Sequence, residues 1–442
     1  MHLPRLALAL GVGVAPLLLP GSSPEAPVVA IVDANLVTMD QPGVTADQTV
    51  LVHGGRITWI GPAARAVIPR GAQRIDARGL YLVPGLVDMH VHCDSTDMPL
   101  FIANGVTTIR EMNGSARHLV WRDRVARDPS LPLPSLYVAS TLLAGTPLQW
   151  RHLLVTTPAE GAAAAREAIY DGYDFIKVYS GLTRETYDTI VAIAHRAGVP
   201  VVGHIARDVG LEHALESGQV DIAHVEQIMD AVAGHDPDSA AIAPAVAAIR
   251  QAGAWVEPTL AVMEVLMQQG TPWFDSLYSR PEMRYVDAGT LGWWGSLRRP
   301  SRDGRAGGSV IGANRLAWMR LLTRRLYDAG VPLLVGTDEP NPLMVPGFSL
   351  HDEMEALVRV GIPPADVLRA ATRGAATFVS RADVFGTIKV GARADLVLVN
   401  GDPLSDLARL RHPQAAMLRG RWYDAAGLRR MLEEAGRTIR GS

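Results

Sequence analysis

The sequence predicts an α/β protein, a (β/α)8 TIM barrel carrying a small β-sandwich domain built from both chain ends. Three observations predict it. Short apolar strand-like runs alternate with helical stretches from Val106 onward, which is the pattern of parallel βα units. With the run ending in His90 and His92, eight such runs can be counted, the number a closed barrel needs. Strand-like segments without intervening helices occur at both ends, before Pro84 and again after residue 394.

Length and composition set the bounds. The 442 residues suffice for one large barrel plus a satellite, and 48% hydrophobic against 20% charged residues allows a substantial core. A formal net charge of −3 without long runs of like charge gives no electrostatic case for nucleic acid, so the expected partner is a small molecule. Homo-oligomerisation stays open. The single cysteine, Cys93, excludes an intrachain disulfide framework and a cysteine-rich zinc site.

In chain order, Arg5 is followed by an uncharged run over residues 6–19 and the small polar Gly21-Ser22-Ser23. This reads as an export signal over residues 1–26, too short to span a membrane, and implies a periplasmic or secreted protein. Residues 27–83 hold strand-like runs, with Gly54-Gly55 as a hairpin turn, and pair with 386–430 to make the β-sandwich domain. Residues 84–385 make the barrel. Its strands are expected at the run ending in His90 and His92, and over 107–110, 136–139, 175–179, 199–204, 221–225, 255–259 and 331–336. Residues 263–313 fit no βα unit. They carry Trp273, Phe274, Trp293, Trp294 and an arginine-rich run from Arg298 to Arg305, and read either as a lid or as a solvated excursion.

Chemistry gathers at the strand ends. In Pro84-Gly-Leu-Val-Asp-Met-His-Val-His92 the two histidines are two residues apart and share a face of the strand. A neutral imidazole there can ligate a metal. Of 42 lysines and arginines only Lys177 and Lys389 are lysine. Arginine serves as a surface charge, whereas a buried lysine amine can be made neutral and nucleophilic, so Lys177 in an apolar strand calls for a chemical explanation. His204, His224 and Asp338 each end another apolar run. Singly, each has a structural alternative: a satisfied core histidine, a helix cap, a snorkelling lysine. Together they occupy equivalent ends of several strands.

These motifs resemble the amidohydrolase superfamily in its two-metal form with a carboxylated lysine. The resemblance runs from about Val28 to Tyr423. It rests on the His90/His92 motif, Gly105-Val-Thr-Thr-Ile-Arg110, Gly336-Thr-Asp338 and Gly391-Ala-Arg-Ala-Asp-Leu-Val-Leu398. Within the superfamily the chain is most similar to the imidazolonepropionase-like and Xaa-Pro or Xaa-Arg dipeptidase branch, to which ochratoxin-hydrolysing amidases are also similar. The resemblance implies that His90, His92 and Asp338 hold one divalent ion and His204 and His224 another, with the CO2 adduct (carbamate) of Lys177 bridging them. Zinc is the metal a nitrogen-rich site favours, although affinity order alone leaves others open. It further implies hydrolysis of a peptide or N-acyl amino acid amide by a hydroxide shared between the ions, with Asp338 as general base and then acid.

Lactones, cyclic amides and phosphotriesters fit the same machinery. A one-metal deaminase lacks the bridging lysine, and a non-catalytic relative of dihydropyrimidinases would have lost ligands that are intact here. Tyr179 points the same way as Lys177 and is a candidate substrate contact or a core tyrosine. Arg110 is a candidate for a substrate carboxylate or for an internal pair with Glu111. If the arginines after Trp294 close over the pocket, a substrate with an apolar group and a free carboxylate would fit.

Overall fold

A computed structural model describes residues 27–232, 239–296, 310–381 and 384–441. The apolar amino-terminal run and the stretch from Arg298 to Arg305 lie outside these residues. No helix among the described residues is long and apolar enough to cross a membrane.

The barrel strands are Leu86–Val91, Val106–Glu111, Ser135–Val138, Ile176–Val178, Val201–Gly203, Asp221–Ala223 and Trp255–Glu257. Neighbours pair in parallel, with Ile109 opposite Leu136 and Lys177 opposite Val202. The third strand meets the fourth through an Ala139–Phe175 bridge. The eighth segment, expected as a regular strand over 331–336, forms only a bridge from Leu333 to Val256. Its backbone still closes the barrel, because Leu334 N donates to Val256 O and Met89 N donates to Val335 O. At the end of this segment only glycine fits: a Cβ at Gly336 would lie 2.1 Å from Glu257 Oε1 and 2.8 Å from His90 Cβ.

Sequence chemistry sets the ends of the outer helices. Helix Pro158–Asp171 starts at Thr157, whose hydroxyl accepts from Glu160 N while the Glu160 side chain bonds back, and stops at left-handed Gly172. Helix Arg184–Ala197 is bounded in the same way by Thr183 and Gly198. Both bury a small-residue or apolar face in one cluster around Ile176, Tyr187 and Ile190.

The two chain ends build one eight-stranded sheet. Strand Leu396–Asn400 runs antiparallel to Leu80–Pro84, with Val397 opposite Val83, so the carboxyl-terminal segment is stitched to the strand that feeds the first barrel strand. Arg419 fastens this sheet to the barrel by donating to the carbonyls of Pro129, Leu131 and Leu133.

Residues 263–296 are not an open loop. They form short helices, Pro272–Ser276 and Ala288–Ser296 among them, that bury Phe274, Leu277, Tyr285 and Trp294 in the main core. Closely spaced glycines and prolines interrupt the apolar periodicity, which hides these helices from a pattern reading. Helix Leu260–Met267 begins beside the barrel mouth, and buried Glu353 accepts from Ala261 N at 2.6 Å. Burial pushes the Glu353 carboxyl from 4.5 up to about 8, against the hydrogen bonds from Ala261 and Leu260. Between those two values the unfolded chain binds fewer protons than the folded one, so stability falls as pH rises across that window. Glu353→Gln is expected to flatten that part of the profile in denaturant melts, and an unchanged slope would exclude this carboxyl as its source.

Candidate metal centre and active site

Six side chains from four strand ends and the eighth segment line one cavity of about 570 Å³: His90, His92, Lys177, His204, His224 and Asp338. Asp338 is central. Its Oδ1 lies 3.1 Å from His92 Nε2 and 3.2 Å from His90 Nε2, and its Oδ2 lies 3.8 Å from His224 Nε2. Lys177 Nζ is 3.5 Å from His90 Nε2. The His224 ring centroid is 4.8 Å from that of His90 and 4.9 Å from that of His204.

Several of the donors are fixed from behind. His90 Nδ1 donates to Glu257 Oε2 at 2.8 Å, and His224 Nδ1 donates to Thr259 Oγ1 at 2.8 Å, which turns both Nε2 atoms toward the cavity. His92 Nδ1 faces Glu111 Oε1 at 3.6 Å. Asn341 Nδ2 donates to Asp338 Oδ2 at 2.8 Å. Within Gly336-Thr-Asp338, Thr337 donates through Oγ1 to buried Asp88, 2.8 Å away, tying the eighth segment to the first strand. Gly203 precedes His204 because a Cβ there would meet Val178 O at 2.3 Å and Lys177 Cδ at 2.9 Å. His224, Thr259 and Asp338 have φ of 71°, 49° and 57°, so three non-glycine residues at the strand ends adopt left-handed backbone. Such strain persists only where surrounding contacts over-determine it, and it gathers at functional sites.

Electrostatics suits metal ligation. Burial, reinforced by the Lys177 charge, keeps His90 well below its ordinary value, and burial with the His224 charge does the same to His204. Burial lowers His224 to about 4. His92 is the exception: burial opposes its charge, but Asp338 and Glu111 raise it to about 9. Burial brings the Lys177 amine down to about 8, within reach of the neutral form at ordinary pH.

The donor set fits a divalent ion. Donor atoms of His90, His92 and Asp338 all lie within 4.8 Å of one another, and the buried His204 Nδ1 has no hydrogen-bond partner among the described residues.

Tyr179 lines the same cavity, its ring 3.9 Å from that of His204, and burial pushes its phenol up so that it stays protonated. Arg110 does not reach the cavity. Its side chain is fully buried, with Nη2 2.7 Å from Asp221 and 3.3 Å from Glu257 and Nε donating to Met89 O. Neither expectation for it holds, because adjacent strand residues face opposite ways and Glu111 turns toward His92 instead. Sequence reasoning missed Glu257, although it ends an apolar run at the seventh strand as the other polar residues end theirs. It also missed Glu226, Asn341 and Thr259, which the structure brings to or against the cavity.

A parallel barrel whose imidazole and carboxylate side chains converge at the carboxyl ends of its strands is the scaffold of a metal-dependent hydrolase. Residues 81–423 match the amidohydrolase family model, and the chain belongs to that family. It is 28% identical over 408 residues to imidazolonepropionase of Micrococcus luteus, covering 85% of this chain and 93% of that one. Among solved structures it is similar to bottromycin amidohydrolase, at 25% identity and a TM-score of 0.74, covering 96% of this chain and 95% of that one. A Xaa-Pro dipeptidase with methionine bound in its active site shares the fold, at 20% identity and a TM-score of 0.68, over 90% of this chain and all of that one. The chain is accordingly a metal-dependent hydrolase acting on amide bonds.

Proposed function

We propose that the enzyme holds two divalent ions, zinc by the chemistry of the donors, and hydrolyses the amide bond of a small peptide or acylated amine. The observation that carries this reading is Lys177. The residue is 1% exposed, and its amine sits beside His90 in a cluster of imidazoles, with the Asp338 carboxylate near enough to act on its charge. As an ordinary ammonium it would oppose metal binding; as a carbamate it supplies an anion and two oxygen donors. His90, His92 and Asp338 would hold one ion, and His204 and His224 the other.

Bound ions supply Lewis acidity, polarising a carbonyl and lowering the pKa of water. The chain's own groups do the rest. Asp338, fixed by Asn341 and adjoining three imidazoles, takes the proton from the attacking water and delivers it to the leaving nitrogen. Tyr179, kept protonated, offers a hydrogen bond to the oxygen that gains charge.

The test is metal analysis of the purified protein together with a hydrolysis screen over dipeptides, aminoacyl amides, N-acyl amino acids, cyclic amides, lactones and phosphotriesters. Two ions per chain and turnover of linear amides are expected. A single tightly held ion with an unmodified lysine would overturn the reading, and turnover confined to lactones or phosphotriesters would reassign the substrate. We also read residues 1–26 as an export signal, on the strength of the uncharged run over residues 6–19.

A further inference from the structure

The wall of the metal cavity is unevenly charged. Apart from the donors, it is built largely of Leu142, Trp150, Tyr179, Met263, Leu266 and Trp293. Trp150 and Trp293 are about half exposed, at 53% and 51%, in a protein that buries Trp294 and Trp318, so two large aromatic faces are left for something else to cover. Trp150 stands edge-on to Tyr179 with centroids 6.4 Å apart.

One carboxylate outside the donor set is on this wall. Glu226 lies in the first turn of helix Val225–Val232, directly after the sixth strand, and has no hydrogen-bond or ion-pair partner among the described residues. Arg315, whose charge reaches Glu226, is itself engaged elsewhere, donating to Asp230 at 2.9 Å. Lys177 is the sole lysine or arginine on the wall among the described residues. Arg117 and Arg151 line a neighbouring recess instead. Arg117 is 3.4 Å from Asp94, and Arg151 donates to Gly114 O and Thr141 Oγ1. An unpaired carboxylate among aromatic faces suits a cation, which gains both a charged contact and the attraction of the rings.

We propose that Glu226 determines specificity by pairing with an ammonium group of the substrate while Trp150, Tyr179 and Trp293 cover its apolar part. Resting on the amide-hydrolase reading, this makes the substrate an amide that bears a free amine beside an aromatic or aliphatic group. It reverses the expectation of a free carboxylate.

Binding separates the two readings. Tryptophan fluorescence of the metal-loaded enzyme is titrated with 2-phenylethylamine, with its N,N,N-trimethyl analogue, whose nitrogen cannot ligate a metal, and with neutral 2-phenylethanol. The primary ammonium is expected to bind about tenfold or more tightly than the alcohol, as one charge-assisted hydrogen bond allows, and the trimethyl analogue, which has no N–H, is also expected to bind more tightly than the alcohol through its charge and the aromatic faces. In Glu226→Gln, with metal content and melting temperature checked as controls for folding, that preference is expected to fall severalfold, to what the aromatic faces alone supply. Equal binding of the three probes by the wild type, or an undiminished preference in Glu226→Gln, overturns the assignment. Preference for the cations without turnover of any aminoacyl amide would leave Glu226 in this role and defeat the proposed linear-amide substrate instead.

Discussion

Lys177→Ala is expected to lose most of its bound metal and at least about 10²-fold in turnover, with part of both restored by millimolar acetate or propionate. The side chain is buried against His90, and Gly203 is kept bare so that its stem can pass. Truncation therefore opens a slot of lysine length ending among the imidazoles, which a short carboxylic acid can enter to present two oxygens where the carbamate would be. Arginine at this position has the charge but no capacity to take up CO2, so Lys177→Arg is expected to fail without rescue. A test that needs no variant is reconstitution of metal-stripped enzyme in CO2-free buffer. Activity is expected to return only when bicarbonate accompanies the metal. Wild-type metal content in Lys177→Ala, or full reconstitution without bicarbonate, would remove the bridging role.

The barrel was legible because each strand is an apolar run with one polar terminus, and burial forces that pattern on the sequence whatever the function. The same rule places His204, His224 and Asp338 with the first-strand pair, since parallel strands bring their carboxyl ends to one face. It was applied to fewer strands than it covers: Trp255–Glu257 ends in an acid just as the others end in a donor, and that acid orients His90. Other features lie beyond any local pattern. Arg110 finds Asp221 more than a hundred residues away in preference to its neighbour Glu111, and no periodicity signals which partner a buried guanidinium will take. The left-handed backbone at His224, Thr259 and Asp338 occurs without glycine, so the usual signal for it is absent. The eighth segment forms only single bridges, and at its end Glu257 and His90 occupy the space that a residue with a Cβ at position 336 would need.

The other large effect is expected at Asp338. Asparagine keeps the size of the side chain and one oxygen toward His90 and His92, and Asn341 Nδ2, which loses Oδ2 as acceptor, still donates to the backbone carbonyl of residue 338, so metal content and melting temperature are expected to stay close to wild type. What it loses is the ability to hold a proton. Burial alone would raise this carboxyl, but the His224 and His92 charges and the hydrogen bond from His92 outweigh burial and hold it below its ordinary value, which keeps it an anion ready to accept. The same low value makes it a weak base and, once it carries the proton, a strong donor. It serves at the second step because the leaving nitrogen is far more basic than a carboxylate and draws the proton across a short contact. Removing a general base of this kind typically costs on the order of 10²–10⁴-fold in rate. Asp338→Asn is therefore expected to lower kcat by that amount while KM moves little, since the group acts on the proton and not on substrate grip. Turnover near wild type in a metal-replete Asp338→Asn would transfer the proton chemistry to another group, whereas equal loss of metal and rate would reduce Asp338 to a ligand.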